Sequence, residues 1–211
     1  SSSLASPKVS LHPDISTSRV VYVSGTTKAR LDIRELCNLF SNYGNIEAGI
    51  QHKLKNCSFI MYSTQQGADL AVKHMKKLHI QGLKLLVTYS KFEELQEAQL
   101  KQMKDVYIPS PSCRRFKTGV PSMPNEISRT LHICIFLTGY RRKVEDYELI
   151  NIVSEVSSPI RVKRDENKDN LNMWFVEFPK ISDALWVIMK CHDRPFEDGN
   201  FRISFTKTKR G

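Results

Sequence analysis

The chain has 211 residues, enough for one large domain or two small ones. Lys and Arg number 32 against 22 Asp and Glu, a formal net charge of +10, which favours polyanionic partners such as RNA, DNA or acidic membrane surfaces. The five cysteines contain no Cys-x-x-Cys pair, and the apolar run Leu131–Leu137 is far too short for a transmembrane helix, so a paired-cysteine metal set and a membrane-spanning segment are both excluded.

Residues 1–17, rich in Ser and Pro and without periodicity, read as a flexible arm. No secretory leader is legible, although the chain starts at Ser rather than Met, as a processed or excised chain would. Arg19–Ser24 is β-branched and predicts a strand. Asp32–Tyr43 carries Ile33, Leu36, Cys37, Leu39 and Phe40 at helical spacing, with Gly44 as the stop. Ile46–His52 and Ser58–Ser63 predict strands. Gln65–Leu78 repeats Ala68, Ala71, Val72, Met75 and Leu78 as a helix, and Leu83–Ser90 predicts a fourth strand. The order over 18–91 is βαββαβ.

Residues 92–128 join this unit to the next. Phe92, Leu95, Ala98, Gln99 and Met103 suit one side of a short helix. Pro109, Pro111, Pro121 and Pro124 then exclude a regular helix or central strand, and Arg114-Arg115-Phe116-Lys117 makes the segment more than an inert tether. Residues 129–208 repeat the βαββαβ order. Leu131–Phe136 predicts a strand, Val144–Val156 a helix and Pro159–Arg164 a strand. A charged hairpin follows through Asp165–Asn170, then a strand at Met173–Phe178, a helix at Ser182–Cys191 and a strand at Phe201–Phe205. Ser182 with Asp183 reads as the start of that last helix.

The repeat is also written in aromatics. Phe59 to Tyr89 and Phe175 to Phe205 are each 30 positions apart (89 − 59 and 205 − 175). Phe59 lies in Phe59-Ile60-Met61-Tyr62 and Phe175 in Phe175-Val176-Glu177-Phe178. Self-similarity at fixed spacing marks two copies of one unit. Cysteines lying within apolar periodic segments act as small hydrophobes and fit a reducing compartment.

The order and the aromatic third strand resemble the RNA-recognition motif, whose octapeptide runs K/R-G-F/Y-G/A-F-V-x-F/Y. Lys55-Asn56-Cys57-Ser58-Phe59-Ile60-Met61-Tyr62 matches at its basic start and at its fifth, sixth and last positions, with Cys57 in place of a ring. Leu171-Asn172-Met173-Trp174-Phe175-Val176-Glu177-Phe178 keeps the last four positions and has Trp174 where the family has Gly or Ala. The first-strand aromatic of the family falls on Tyr22, with His132 as its counterpart. Leu131-His132-Ile133, the missing third-strand ring, and the endings Tyr89-Ser90-Lys91 and Phe205-Thr206-Lys207 look like one subgroup. These are the polypyrimidine-tract-binding proteins and their heterogeneous nuclear ribonucleoprotein L relatives. The run from Met103 through Arg114-Arg115-Phe116-Lys117 to Arg129-Thr130-Leu131-His132 resembles the connection between the third and fourth motifs of the polypyrimidine-tract binder. The resemblance implies an α+β fold of two ferredoxin-like βαββαβ domains, each a four-stranded antiparallel sheet backed by two helices. It also implies single-stranded pyrimidine-rich RNA as partner, a role in splicing or messenger stability, and nuclear residence with shuttling to the cytoplasm.

Side chains alternate across a strand. With Ile60 and Tyr62 inward, Phe59 and Met61 face the open side of the sheet, beside Tyr22. With Val176 and Phe178 inward, Phe175 faces out beside His132. Rings on an open sheet stack bases. Arg161 and Lys163 alternate with Ile160 and Val162 and share one face, read either as the RNA side or as a solvated charge pair. Thr88 and Ser90, and Ser204 and Thr206, fall on the open face of the fourth strands, with Lys91 and Lys207 directly after them. Hydroxyls and strand-end backbone can meet pyrimidine edges, and lysines can meet phosphate. With one ring lost per unit, affinity is expected to come from linking two weak sites.

The helix at Ser182–Cys191 carries Leu185, Trp186 and Met189 beyond its core face. A helix apolar nearly all round is buried on both sides, so these three are expected to pack between units, in a monomer whose domains lie together back to back. A competing reading is a protein-interaction module that uses its helical faces. Asp32, Glu35, Asp146 and Glu148 read as solvated helix charges. No phosphate-cradling Gly loop, metal-ligand spacing or nucleophile elbow occurs, so no enzyme, cofactor or metal is expected.

Overall fold

β-branched Val20, Val21 and Val23 favour extended backbone, and Val20–Ser24 forms β1. The computed structural model describes residues 18–103, 105–139, 141–166 and 169–206; the expected arm and Lys207 lie outside them. Helix α1 (Ile33–Phe40) starts where the Asp32 carboxylate accepts the Glu35 N–H at 2.7 Å, satisfying one of the orphan donors of its first turn. Strands β2 (Ile46–His52) and β3 (Cys57–Tyr62) follow. Thr64 then caps α2 (Gln65–His74) by accepting the Gly67 N–H at 3.2 Å.

The single fourth strand expected at Leu83–Ser90 is divided. β4 (His79–Ile80) and β5 (Leu83–Lys84) form a hairpin across Gln81 and Gly82, both with positive φ as the tight turn demands, and only β6 (Val87–Tyr89) joins the main sheet. Between them the fully buried Leu85 interrupts the ladder, its N–H donating to the Leu78 carbonyl.

The connecting segment contains α3 (Glu97–Gln102), β7 (Val106–Tyr107) and a 3-10 turn at Pro111–Cys113. The second unit comprises β8 (Thr130–Phe136), α4 (Asp146–Ser154), β9 (Arg161–Arg164), β10 (Met173–Glu177), α5 (Ile181–Cys191), β11 (Pro195–Phe196) and β12 (Gly199–Phe205). Helix α5 begins one residue before the expected Ser182, after Lys180, and no side chain caps it.

The fold is α+β, with antiparallel sheets backed by helices. Each sheet has five strands rather than four: β6-β1-β3-β2-β7 and β11-β12-β8-β10-β9. The extra strand of the first comes from the connecting segment, where Val106 and Tyr107 pair with Ile50 and Gly49 and occupy the outer edge of β2. An edge strand leaves unpaired backbone groups, and the connecting segment satisfies part of them here.

The inward faces of both sheets belong to one continuous core that includes Val21, Ile60 and Tyr62 on one side and Ile133, Trp174 and Val176 on the other. The helices α1 and α5 pack on each other, and each also packs on its own sheet. Leu185 and Met189 are buried there, and Trp186 is half-buried against the same core. Polar groups on α1 and just after it fix the arrangement. Asn38 Nδ2 donates to the Met189 carbonyl at 2.9 Å, and Lys190 meets Glu35 at 3.2 Å. Burial and the neighbouring Asp32 hold the Glu35 carboxyl above its usual range, against the pull of Lys190. Asn42 Oδ1 accepts the Phe205 N–H at 3.2 Å on the edge of β12. Asn45 Oδ1 accepts the N–H groups of Arg115 and Phe116, and its Nδ2 donates to the Phe116 carbonyl at 2.7 Å. This stripe was not read from the sequence. Only Asn38 lies on α1, while Asn42 and Asn45 follow its end at Phe40, so no helical periodicity marks the three together.

Candidate nucleic-acid interface

Strand register brings the chemistry-bearing residues into two matching rows. In the first sheet Thr88, Tyr22, Phe59 and Ile50 lie side by side on β6, β1, β3 and β2. In the second, Ser204, His132, Phe175 and Lys163 lie side by side on β12, β8, β10 and β9. Because neighbours on each strand turn inward, both rows project from the faces opposite the core. The Tyr22 and Phe59 rings meet edge to face at 5.6 Å, and the His132 and Phe175 rings lie 5.0 Å apart at 51°. All four rings are half-buried.

The two faces are not equally open. In the first unit Val20, Ala48, Ile50, Met61 and Leu95 form a second, smaller core, with Phe59, Leu100, Met103 and Val106 against it. The segment around α3 lies across this end of the sheet. Met61, expected on the open face, is therefore only 7% exposed, and its sulfur accepts the Leu95 N–H at 3.5 Å. Ser90, expected beside it, is 5% exposed and its hydroxyl accepts the Phe92 N–H. The cause is common to both: strand alternation chose the right face, but the next segment of chain covers it. Lys91 is exposed. The covering segment also adds a ring. Phe92, read in sequence only as a helix residue, is 45% exposed and meets Phe59 edge to face at 5.7 Å.

In the second unit the connecting segment reaches only the β8–β12 side of the face, where Cys134 is buried and Arg115 and Met123 line a cavity with Arg202 and Ser204. Arg161 and Lys163 are exposed, cross-strand from Glu177 and Phe175, and Glu177 pairs with Arg129 at 3.1 Å. Thr206 donates its N–H to the Thr130 carbonyl, continuing the line of Ser204. His132 Nε2 lies 3.1 Å from Asp165 Oδ2, which orients the imidazole over the face. Trp174, one position before Phe175, is turned fully inward, its indole N–H donating to Asp146 at 2.9 Å.

Behind this face, buried His192 accepts two hydrogen bonds at Nδ1, from the Ile203 N–H at 3.1 Å and from Arg115 Nη2 at 2.9 Å. A nitrogen accepting from two donors carries no proton. Burial, with Arg115 and Arg202 nearby, holds the His192 pKa well below its ordinary value. Below a pH of about 6.5 the unfolded chain takes a proton here that the folded chain refuses, so stability is lost as pH falls, by up to about 1.4 kcal/mol per pH unit. Urea unfolding of wild type and His192→Asn between pH 7.5 and 5.5 should show the wild type losing the greater stability. Parallel loss in both would refute this role.

Among the described residues no three His, Cys, Asp or Glu side chains gather as a metal site would require. No helix there is long and apolar enough to cross a membrane.

A family profile described as RNA recognition motif (also RRM, RBD or RNP domain) matches residues 2–118. The chain belongs to the RNA recognition motif family. The match ends before β8, so the second unit rests on its repeated strand order and its matching row. A comparison with curated proteins gave no match. Among solved structures, a Sex-lethal protein–RNA complex aligns at 15% identity over 90% of this chain and 99% of its own, with a TM-score of 0.32. The first two RNA recognition domains of Sex-lethal from Drosophila melanogaster align at 15% identity over 90% of this chain and 100% of their own, with a TM-score of 0.30. The Rna15 motif with bound RNA (GU) aligns at 11% over 38% of this chain and 85% of its own, with a TM-score of 0.32.

Proposed function

We propose that this chain binds single-stranded, pyrimidine-rich RNA across its two sheet faces and acts in splicing control or messenger stability in the nucleus. The observation that carries the reading is the pair of matching rows, Thr88–Tyr22–Phe59 and Ser204–His132–Phe175, each with two touching rings beside a hydroxyl. Rings supply sequence-tolerant stacking, and hydroxyls and strand ends can read base edges. The cations Lys91, Arg161 and Lys163 border the rows and suit phosphate, as the net charge of +10 does. The pyrimidine preference rests on resemblance to the polypyrimidine-tract-binding subgroup.

The competing reading, a protein-docking module, loses its main support. The apolar α5 face that suggested it is filled by α1, with Leu185 and Met189 buried between the units.

Titration with short oligo-U, oligo-C and oligo-A at two salt concentrations tests the proposal. Oligo-U and oligo-C should bind, oligo-A more weakly, and all should weaken as salt rises. Equal binding of all three would remove the pyrimidine preference, and no binding of any would remove the RNA reading.

A further inference from the structure

We propose that the seam between the open face of the second sheet and the connecting segment is a nucleotide site, taking one phosphate-bearing nucleotide of a strand that also lies on the His132–Phe175 row. The proposal rests on the RNA-binding reading. The seam holds a cavity of about 230 Å³. Its floor is His132, Cys134, Arg202 and Ser204 from β8 and β12, and its walls include Arg115 and Met123 from the connecting segment.

The two arginines of this cavity have no ion-pair partner among the described residues, and Asp193 offsets the Arg115 charge only in part. Arg202 stacks on the Phe136 ring at 4.8 Å. Arg115 spends one nitrogen on neutral His192, while its buried Nε has no hydrogen-bond partner. Burial and the proximity of Arg202 lower the Arg115 pKa to about 9, with Asp193 opposing only in part. Two guanidinium groups brought together without an anion are costly, and a phosphate answers both their charge and their fork geometry. The chemistry around them is mixed, as a nucleotide needs: Met123 and Pro124 offer apolar surface to a base, and Ser204 and Asn125 offer polar edges.

Continuity identifies the occupant. His132 and Ser204 belong both to the row of rings and to the cavity floor. A base stacked on Phe175 therefore has its neighbour on the β12 side at the cavity mouth. A strand following this course touches the connecting segment as well as the sheet, which makes the segment part of the recognition surface.

Oligo-U and oligo-C titrations of wild type, Arg202→Gln, Met123→Glu and Phe175→Ala across a salt series test the site. Arg202→Gln should weaken both oligomers alike, by about fivefold at 0.1 M relative to 1 M salt, and reduce the slope of log K against log salt by about 0.7, the value for one single-strand phosphate contact. Met123 is 65% exposed, so Met123→Glu carries little folding risk and places a repelling carboxylate at the rim; it should weaken binding too. Phe175→Ala should weaken binding with its salt slope unchanged. If wild type bound neither oligomer, the RNA reading itself would fail. If wild type bound, Phe175→Ala weakened it, and Arg202→Gln and Met123→Glu left affinity and slope unchanged, the seam would be no nucleotide site. Oligo-glutamate binding abolished by Arg202→Gln, with the oligo-U slope untouched, would assign the seam to an acidic protein segment and likewise overturn the proposal.

Discussion

Phe175→Ala should lower affinity for a short pyrimidine oligomer by about 1–3 kcal/mol, roughly 5- to 150-fold, while leaving the protein folded. The ring stands on the face opposite the core, half-buried, with His132 on one side and Lys163 on the other. Removing it takes away a stacking surface and opens no cavity. Phe59→Ala should also weaken binding, but less cleanly. That ring touches Tyr22 and Phe92 and packs on the small core under α3, so part of its loss appears as reduced stability. On an oligomer long enough to reach both faces the two sites are linked, and there the double variant should lose more than either single one. Fluorescence anisotropy with labelled oligo-U, alongside urea unfolding of the same proteins, separates the two effects. Wild-type affinity in Phe175→Ala would leave the second row without a role.

Trp174→Ala should destabilise the protein by about 3–5 kcal/mol, the cost of emptying a fully buried aromatic site. The indole carries more than area. Its N–H donates to Asp146, and the Arg164 guanidinium lies 4.8 Å above the ring and pairs with the same carboxylate at 2.8 Å. The indole bond, with Arg164 beside it, holds the Asp146 carboxyl below its usual range. Trp174→Phe keeps most of the apolar burial and gives up the hydrogen bond, so it should cost much less. Because one core runs through both units, the alanine variant should weaken the first unit as well. Urea unfolding followed by circular dichroism checks this, and a loss below about 1 kcal/mol would show that the site collapses to fill itself.

Trp174 also explains a departure visible in the sequence. It stands where related octapeptides carry Gly or Ala, and the first unit has Ser58 at that place. Ser58 lies 2.7 Å from the Thr26 hydroxyl, a small polar pair in the space that the second unit fills with an indole. The same strand position thus accepts a hydroxyl or a large ring according to what the neighbouring loop and helix supply.

Much of the interface was legible because strand alternation is a local property. Once Ile60 and Val176 are inward, Phe59 and Phe175 can only be outward, and the 30-residue spacing repeats that geometry in both units. Pairing then brings Tyr22 beside Phe59 and His132 beside Phe175. The boundaries were less legible. The fourth strand of the first unit breaks at Leu85 because that residue turns into the core, a choice made by the space beneath the hairpin and not by its own run of apolar neighbours.

What lies on top of a sheet is another matter, and here tertiary structure alone decided. Met61 and Ser90 have the right parity for an open face, yet Leu95 and Phe92 fold back over them. Arg115 looks in sequence like one of a basic run, but Asn45 holds its backbone and His192 its side chain, and so it meets Arg202 at the rim of the other sheet. From its order alone the chain determined two repeated strand frameworks and the rings they carry, since those depend on neighbours one or two positions away. Which rings stay accessible, and which distant arginines share a cavity, depended on contacts between residues tens of positions apart, which periodicity does not encode.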